Sequence, residues 1–138
     1  MQALILDTNI LLDIFVFDDV RANPLRAALL KQEIKAYSCR ATLDELADVI
    51  SRPLFSLEAQ DQASIISQWQ SLSHELDELN METAPWQCQD PDDQIFLNIA
   101  YTLRPAILIS KDHAVLKFAG KAAQENVLIT ADYSAFQF

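Results

Sequence analysis

Residues 2–9 of this chain, Gln-Ala-Leu-Ile-Leu-Asp-Thr-Asn, place a short apolar run directly before a carboxylate. A short, continuously apolar run is typical of a strand that is buried on both faces, as in a parallel sheet. Asp7 ends the run and begins a turn. The segment therefore predicts a central strand that holds a carboxylate at its carboxyl end.

Similar runs recur along the chain, and stretches with helical spacing separate them. Further strands are predicted at residues 35–38, 82–87, 106–109 and 127–130, and helices at residues 22–33, 42–50, 57–79 (one or two helices), from Pro91 onward and at 113–123. Strands that alternate with helices indicate an α/β domain with a parallel sheet, and right-handed crossovers place helices on both faces. In such folds the functional groups lie at the carboxyl ends of the strands.

The composition fits one globular domain over residues 1–138 and excludes some classes of function. Hydrophobic residues make up 51% of the 138 residues, so the chain can bury a core of its own. The single glycine, Gly120, leaves no glycine-rich loop to cradle a nucleotide phosphate. We therefore do not expect triphosphate hydrolysis or dinucleotide chemistry.

The sequence also predicts a cytoplasmic protein without membrane association. Apolar runs stay shorter than the ~20 residues that a membrane span requires, and the N-terminal residues do not resemble a signal peptide. The two cysteines are too few for a disulfide framework, which indicates a reducing compartment.

The formal net charge of −10 argues by itself against nucleic-acid binding, because that binding normally depends on lysine and arginine contacts to phosphates. If the substrate is a nucleic acid, another group must invert the local sign of the charge. Bound divalent metal ions are the natural candidate.

Four acidic positions fall where a parallel sheet would bring them to one edge. Asp7 and Asp112 follow predicted strands, and Glu45 and Asp93 border the apolar faces of predicted helices. Clustered carboxylates raise one another's pKa values, so a divalent cation would stabilise them. Oxygen ligands of this kind select Mg²⁺ or Mn²⁺, and such ions can activate water against a phosphodiester. The neighbouring Asp92 is a further candidate ligand.

Each acid also has a purely structural explanation. Asp7 would cap the following helix, and Asp112 would be an ordinary loop residue. Thr42-x-x-Glu45 is a capping-box pattern, in which Glu45 would bond back to a helix N-terminus. At Asp90-Pro91-Asp92-Asp93 the negative charge would favour the first turn of a helix.

Taken in order, the acidic motifs resemble those of PIN-domain ribonucleases, and the resemblance covers nearly the whole chain. The four motifs are Leu6-Asp7-Thr8-Asn9, Thr42-Leu43-Asp44-Glu45-Leu46, Asp90-Pro91-Asp92-Asp93-Gln94-Ile95-Phe96-Leu97 with Ala100, and Leu108-Ile109-Ser110-Lys111-Asp112. The pattern is most similar to that of bacterial PIN-family toxin components of toxin–antitoxin systems, with which the Arg52-Pro53 pair also agrees.

The resemblance implies a three-layer α/β/α sandwich around a parallel sheet, and Mg²⁺- or Mn²⁺-dependent cleavage of RNA. It implies that Asn9 and Ser110 orient ligands or water through hydrogen bonds. An antitoxin partner that blocks the site and a homodimer are also implied. The implied catalytic residues and metal ligands are Asp7, Glu45, Asp93 and Asp112.

One position departs from the family pattern and keeps other functions open. The subgroup often has a second acid two residues after its fourth aspartate, where this chain has Ala114. The main alternative is therefore a catalytically weak PIN-like module that docks an antitoxin or another protein. A phosphohydrolase with Asp7 as its nucleophile ranks last, because such enzymes have a second aspartate two positions after the first, where this chain has Asn9.

Overall fold

The computed structural model describes residues 2–136, and within them one five-stranded sheet forms the centre of the fold. Neighbouring strands are parallel, and their order across the sheet is β3-β2-β1-β4-β5. The strands are β1 (Ala3–Leu6), β2 (Lys35–Cys39), β3 (Ser73–Leu76), β4 (Ala106–Ile109) and β5 (Val127–Thr130). The predicted parallel sheet is confirmed, with β1 at its centre.

Helices cover both faces of this sheet, which confirms the predicted three-layer α/β/α sandwich. The first four pack on one face and the last three on the other. In the described range no helix is both long and apolar enough to cross a membrane. The helices are α1 (Thr8–Phe15), α2 (Asn23–Leu30), α3 (Arg40–Ile50), α4 (Ala59–Leu72), α5 (Pro91–Thr102), α6 (His113–Leu116) and α7 (Ala119–Ala123), with 3₁₀ turns at Val20–Ala22, Pro53–Phe55 and Glu78–Asn80.

Strand β1 is continuously apolar because its side chains enter both cores in turn. Leu4 and Leu6 pack beneath the first four helices, and Ala3 and Ile5 pack beneath the last three. A polar side chain at any of these four positions would be buried without a hydrogen-bond partner. The apolar run therefore lasts as long as the strand and ends at Asp7, where the chain leaves the sheet.

The order of the strands reverses between β1 and β4, and this reversal positions the candidate site. The chain adds β2 and β3 on one side of β1, then crosses to add β4 and β5 on the other side. In parallel α/β sheets a crevice opens at such a switch point, outside the carboxyl ends of the strands. The two strand ends are tied together there, because Asp7 N donates to Ile109 O at 3.0 Å.

The predicted strand at residues 82–87 is wrong. This segment lies on α5, and side chains of α5 satisfy its backbone in place of a neighbouring strand. Ala84 N donates to Asn98 Oδ1 at 2.9 Å, and Glu82 N donates to Thr102 Oγ1 at 2.9 Å. The apolar residues that suggested a strand there are buried against the helix and not within the sheet.

The third strand is β3, and its residues are Ser-His-Glu-Leu. It lies at the edge of the sheet and is half-exposed, so it carries no apolar run. Helix α4 accordingly ends at Leu72, earlier than the helical prediction over residues 57–79. The predicted helix at 113–123 is likewise interrupted, and the structure divides it into α6 and α7.

Candidate active site

Asp7 lies at the centre of the candidate site, directly after β1. Its backbone is extended, and Thr8 N donates to its Oδ1 at 2.7 Å, so Asp7 caps α1. Its second oxygen, Oδ2, accepts a hydrogen bond from Ser110 Oγ at 2.6 Å. Burial raises the pKa of Asp7 and the negative charge of Asp112 adds to this, whereas the hydrogen bonds from Ser110 and Thr8 lower it. The capping role and the place in a carboxylate cluster therefore coexist.

Ser110 connects the carboxyl ends of the two central strands. Its hydroxyl is fully buried, donates to Asp7 and accepts from Asp112 N at 3.0 Å. Asn9 makes a parallel connection, because its Oδ1 accepts from Lys111 N at 3.1 Å. Both residues that were predicted to orient the site thus hold the loop after β4 against the start of α1.

Glu45 reaches this edge of the sheet from α3. The capping-box explanation for it is wrong, because Cys39 is the N-cap of α3 and Thr42 completes the cap, its Oγ1 accepting from Cys39 N at 3.0 Å. Glu45 Oε2 instead accepts from Thr8 Oγ1 at 2.9 Å, beside Asp7. Burial raises the pKa of Glu45 to about 7, and the charge of Asp7 contributes to the increase.

The acidic residues at the start of α5 have different roles, because one of them caps the helix and another lies at the candidate site. Asp90 is the N-cap and accepts from Asp92 N at 2.9 Å, so the helix-terminus explanation holds for this residue. Asp92 is exposed, whereas Asp93 is half-buried. Burial raises the pKa of Asp93 to about 7, with further contributions from the charges of Asp112 and Asp7 and from a hydrogen bond to Asp112. Asp93 therefore interacts with Asp112 and Asp7, whereas the charge of exposed Asp92 acts on Glu45.

Asp112 completes the group from the loop after β4. It is more than a loop residue, because its Oδ1 caps α6 by accepting from Ala114 N at 2.9 Å. Its charge acts on both Asp7 and Asp93. The structure thus brings all four predicted acids to one edge of the sheet, from two strand ends and two helices.

The chemistry of these donors fits a hard divalent cation. The candidate ligands are carboxylate oxygens, and their mutual repulsion is what a cation would relieve. Several of the oxygens are engaged with hydroxyl and backbone donors. Over residues 2–136, no three His, Cys, Asp or Glu side chains are already arranged around one metal position. The donors therefore suit the ion chemically, and the ligand geometry is not preset.

Sequence reasoning missed several residues around the cluster. Thr8 directly follows Asp7, and its contact with Glu45 joins residues 37 positions apart. Asp13 is 3% exposed and interrupts the apolar stripe of α1, a signal that could have been found. Asp13 Oδ2 accepts from Lys111 Nζ at 2.6 Å and from the hydroxyl of Tyr133.

Comparisons with known proteins agree with this architecture. A crystal structure of VapBC2 from Rickettsia felis bound to a DNA fragment from their promoter contains a similar chain, with a TM-score of 0.61 and 14% identity over 93% of this chain and 97% of that one. At this identity the likeness concerns the fold. No curated protein matches the chain significantly. A family model described as the PIN domain matches residues 3–114, so the chain belongs to the PIN domain family.

Proposed function

We propose that this chain is a metal-dependent endoribonuclease that hydrolyses RNA phosphodiester bonds and serves as the toxin of a toxin–antitoxin system. The observation that carries the proposal is the convergence of Asp7, Glu45, Asp93 and Asp112 at the switch point of a PIN-domain sheet. Four carboxylates from separate elements exceed what helix capping requires. Their position is the one at which parallel α/β sheets bind ligands.

These four residues would hold Mg²⁺ or Mn²⁺, with Asp92 as a further ligand. When bound, such an ion activates water and stabilises the charge that develops on the phosphate oxygens. In the metal-free protein, Glu45 and Asp93 have pKa values of about 7, so protons compete for the same oxygens. We therefore expect metal binding to release protons and to tighten as the pH rises.

The neighbouring polar residues would orient these carboxylates. Ser110 fixes Oδ2 of Asp7 and the backbone of Asp112 with one hydroxyl group. Thr8 fixes Glu45, and Asn9 fixes the backbone of the loop after β4. Such hydrogen bonds to ligating groups set their direction and basicity.

An antitoxin protein is the proposed partner. Its support is the family membership together with the likeness to a chain from a VapBC2 complex. We also propose a homodimer, which the family resemblance implies. A cytoplasmic location is proposed because an RNA-cleaving toxin acts where cellular RNA is present.

The decisive experiment is cleavage of a mixed RNA pool by the purified protein in Mn²⁺, in Mg²⁺ and in excess chelator. We expect cleavage with metal, loss of cleavage with chelator, and loss in Asp7→Asn and Glu45→Gln with the fold retained. Asp48→Asn is the matched control, because Asp48 is an exposed acid on the same helix as Glu45. Equal cleavage by Asp7→Asn would contradict the site, and no cleavage by the wild type in any condition would contradict the activity.

A PIN module that binds a partner without cutting RNA is the second candidate. Two observations favour it: Ala114 stands where the subgroup often has an acid, and in the described part of the chain the acids do not form a ready metal-ligand group. The affinity for Mn²⁺ separates the two functions. A nuclease site should bind Mn²⁺ in a manner that depends on Asp7, whereas a site that has lost its catalytic role should bind it weakly or not at all.

A further inference from the structure

Asp13 is a buried acid that the proposed reaction does not use. It lies on α1, is 3% exposed and accepts a 2.6 Å hydrogen bond from Lys111 Nζ. The hydroxyl of Tyr133 donates to the same oxygen. Asp13 therefore joins three parts of the chain: α1, the loop after β4 and the segment after β5.

Lys111 is placed by its backbone inside the candidate site. It lies between Ser110, which donates to Asp7, and Asp112, and its own backbone N–H donates to Asn9. Lysine is a flexible point charge on a four-carbon stem. Its ammonium group nevertheless pairs with Asp13 at 2.6 Å and, in the described residues, makes no ion pair with its neighbour Asp112.

The cluster consequently has no lysine or arginine side chain paired with it in the described residues. The leading influences on the pKa values of Asp7, Glu45 and Asp93 are burial, other carboxylates and neutral hydrogen-bond donors, with no lysine or arginine among them. Within residues 2–136 the five arginines are likewise engaged, each in an ion pair with an acid outside the cluster. Lys111 is therefore a cation close to the site, but its ammonium group is paired with Asp13 and not with the cluster.

We propose that Asp13 is a positioning residue that holds Lys111 away from the carboxylate cluster, so that a divalent cation and not the lysine ammonium neutralises the cluster. This inference rests on the proposed function, because it concerns the metal site of that nuclease. Without the carboxylate of Asp13, Nζ of Lys111 is free to turn towards its neighbour Asp112 and to compete with the metal.

The test is Mn²⁺ binding to the full chain, measured by isothermal titration calorimetry. We expect Asp13→Asn to bind Mn²⁺ roughly tenfold more weakly, the effect of adding one positive charge near a divalent ion. The double variant Asp13→Asn/Lys111→Met should recover wild-type affinity to within about twofold, because it lacks the competing cation. Lys111→Met alone should bind Mn²⁺ at least as tightly as the wild type.

Asp19→Asn is the charge-matched control. Asp19 pairs with Arg21 and makes no hydrogen bond to Lys111, and asparagine can keep its capping role. The Asp19→Asn variant removes one negative charge, as Asp13→Asn does, so a general electrostatic effect would weaken Mn²⁺ binding similarly in both variants. That result would overturn the proposal, as would a double variant that stays as weak as Asp13→Asn.

A purely structural role for the Asp13–Lys111 pair gives a different pattern. Lys111→Met would then weaken Mn²⁺ binding as well, because it leaves a buried carboxylate with one partner fewer. This single variant decides the question if Asp13→Asn does not fold. Failure of the proposed function is separate: in that case the wild type itself shows no Mn²⁺ binding that Asp7→Asn abolishes.

Discussion

Ser110→Ala removes the one hydroxyl group that links Asp7 to Asp112. In the folded protein this change deletes the 2.6 Å hydrogen bond to Asp7 Oδ2 and the acceptor for Asp112 N. Alanine fits the space, because it only removes an atom. The consequences should therefore come from the hydrogen bonds and not from packing.

The expected cost follows from the charge of the acceptor. A hydrogen bond to a charged group contributes roughly 1.5–3 kcal/mol, and a neutral one about 1 kcal/mol. Since Ser110 lowers the pKa of Asp7 in the folded state, its loss matters most when Asp7 is ionised. We expect the free energy of unfolding to fall by about 2–3 kcal/mol while Asp7 is ionised and by about 1 kcal/mol once Asp7 is protonated.

The assay is urea unfolding followed by tryptophan fluorescence over a series of pH values, from alkaline to acidic. Trp69 and Trp86 are 1% and 4% exposed, so both report the loss of the cores. Ser38→Ala is the matched control, because Ser38 is a buried serine whose partner Ser73 keeps a second hydrogen bond, to Trp69 O. The reasoning is refuted if Ser110→Ala costs no more than Ser38→Ala at the alkaline end of the series, or if its cost does not decrease as the pH falls.

Three further outcomes follow from the same geometry. In urea titrations, the free energy of unfolding of the metal-free protein should fall by about 1–2 kcal/mol as the pH rises from about 4 to 8, after allowance for solvent screening. The reason is that Glu45 and Asp93 have pKa values of about 7 in the folded protein, above their ordinary values, so the folded state binds protons that the unfolded state has released. Thr8→Val should raise the pKa of Glu45 further in a carbon-13 NMR titration, because the Thr8 hydroxyl bond lowers it; an unchanged pKa would contradict that role. Tyr133→Phe should lower the free energy of unfolding by about 1–3 kcal/mol at pH 7, because it takes one donor from buried Asp13; an unchanged unfolding midpoint would show that the bond contributes nothing.

Strands could be predicted from the sequence where burial on both faces requires apolar residues, and could not be predicted where the strand is partly exposed. β1 and β4 are buried on both faces, so they must be apolar throughout and are readily predicted. β3 has solvent on its outer edge and is only half-buried, so its four residues need no apolar pattern. Without a glycine or proline between residues 57 and 79, the local sequence also leaves the end of α4 unmarked.

The contacts of the acids in the site also could not be predicted from local sequence, because they join residues that are far apart in the chain. Thr42-x-x-Glu45 reads as a capping box, but the true cap lies three residues earlier, at Cys39, and Thr42 takes the position expected of the glutamate. Glu45 is thereby released to contact Thr8, from a helix that follows a different strand. Such a contact depends on strand order, which motifs indicate only when several are read together. Asp13 escaped notice because its partners, Lys111 and Tyr133, lie about a hundred residues away.

The net charge of −10 is reconciled with the proposed RNA substrate by the weakness of the ion pairs that hold four of the five arginines. The partners of Arg26, Arg40, Arg52 and Arg104 are exposed acids, and ion pairs of this kind contribute at most about 1 kcal/mol each. A phosphate can therefore replace such a carboxylate at little cost. At the carboxylate cluster no exchange of this kind is available, since Lys111 is bound to buried Asp13. There a bound divalent cation would change the sign of the charge, so metal and RNA should bind cooperatively, each raising the affinity of the other by the same factor. A cleavage-resistant RNA that bound equally well with Mn²⁺ and with chelator would contradict this coupling.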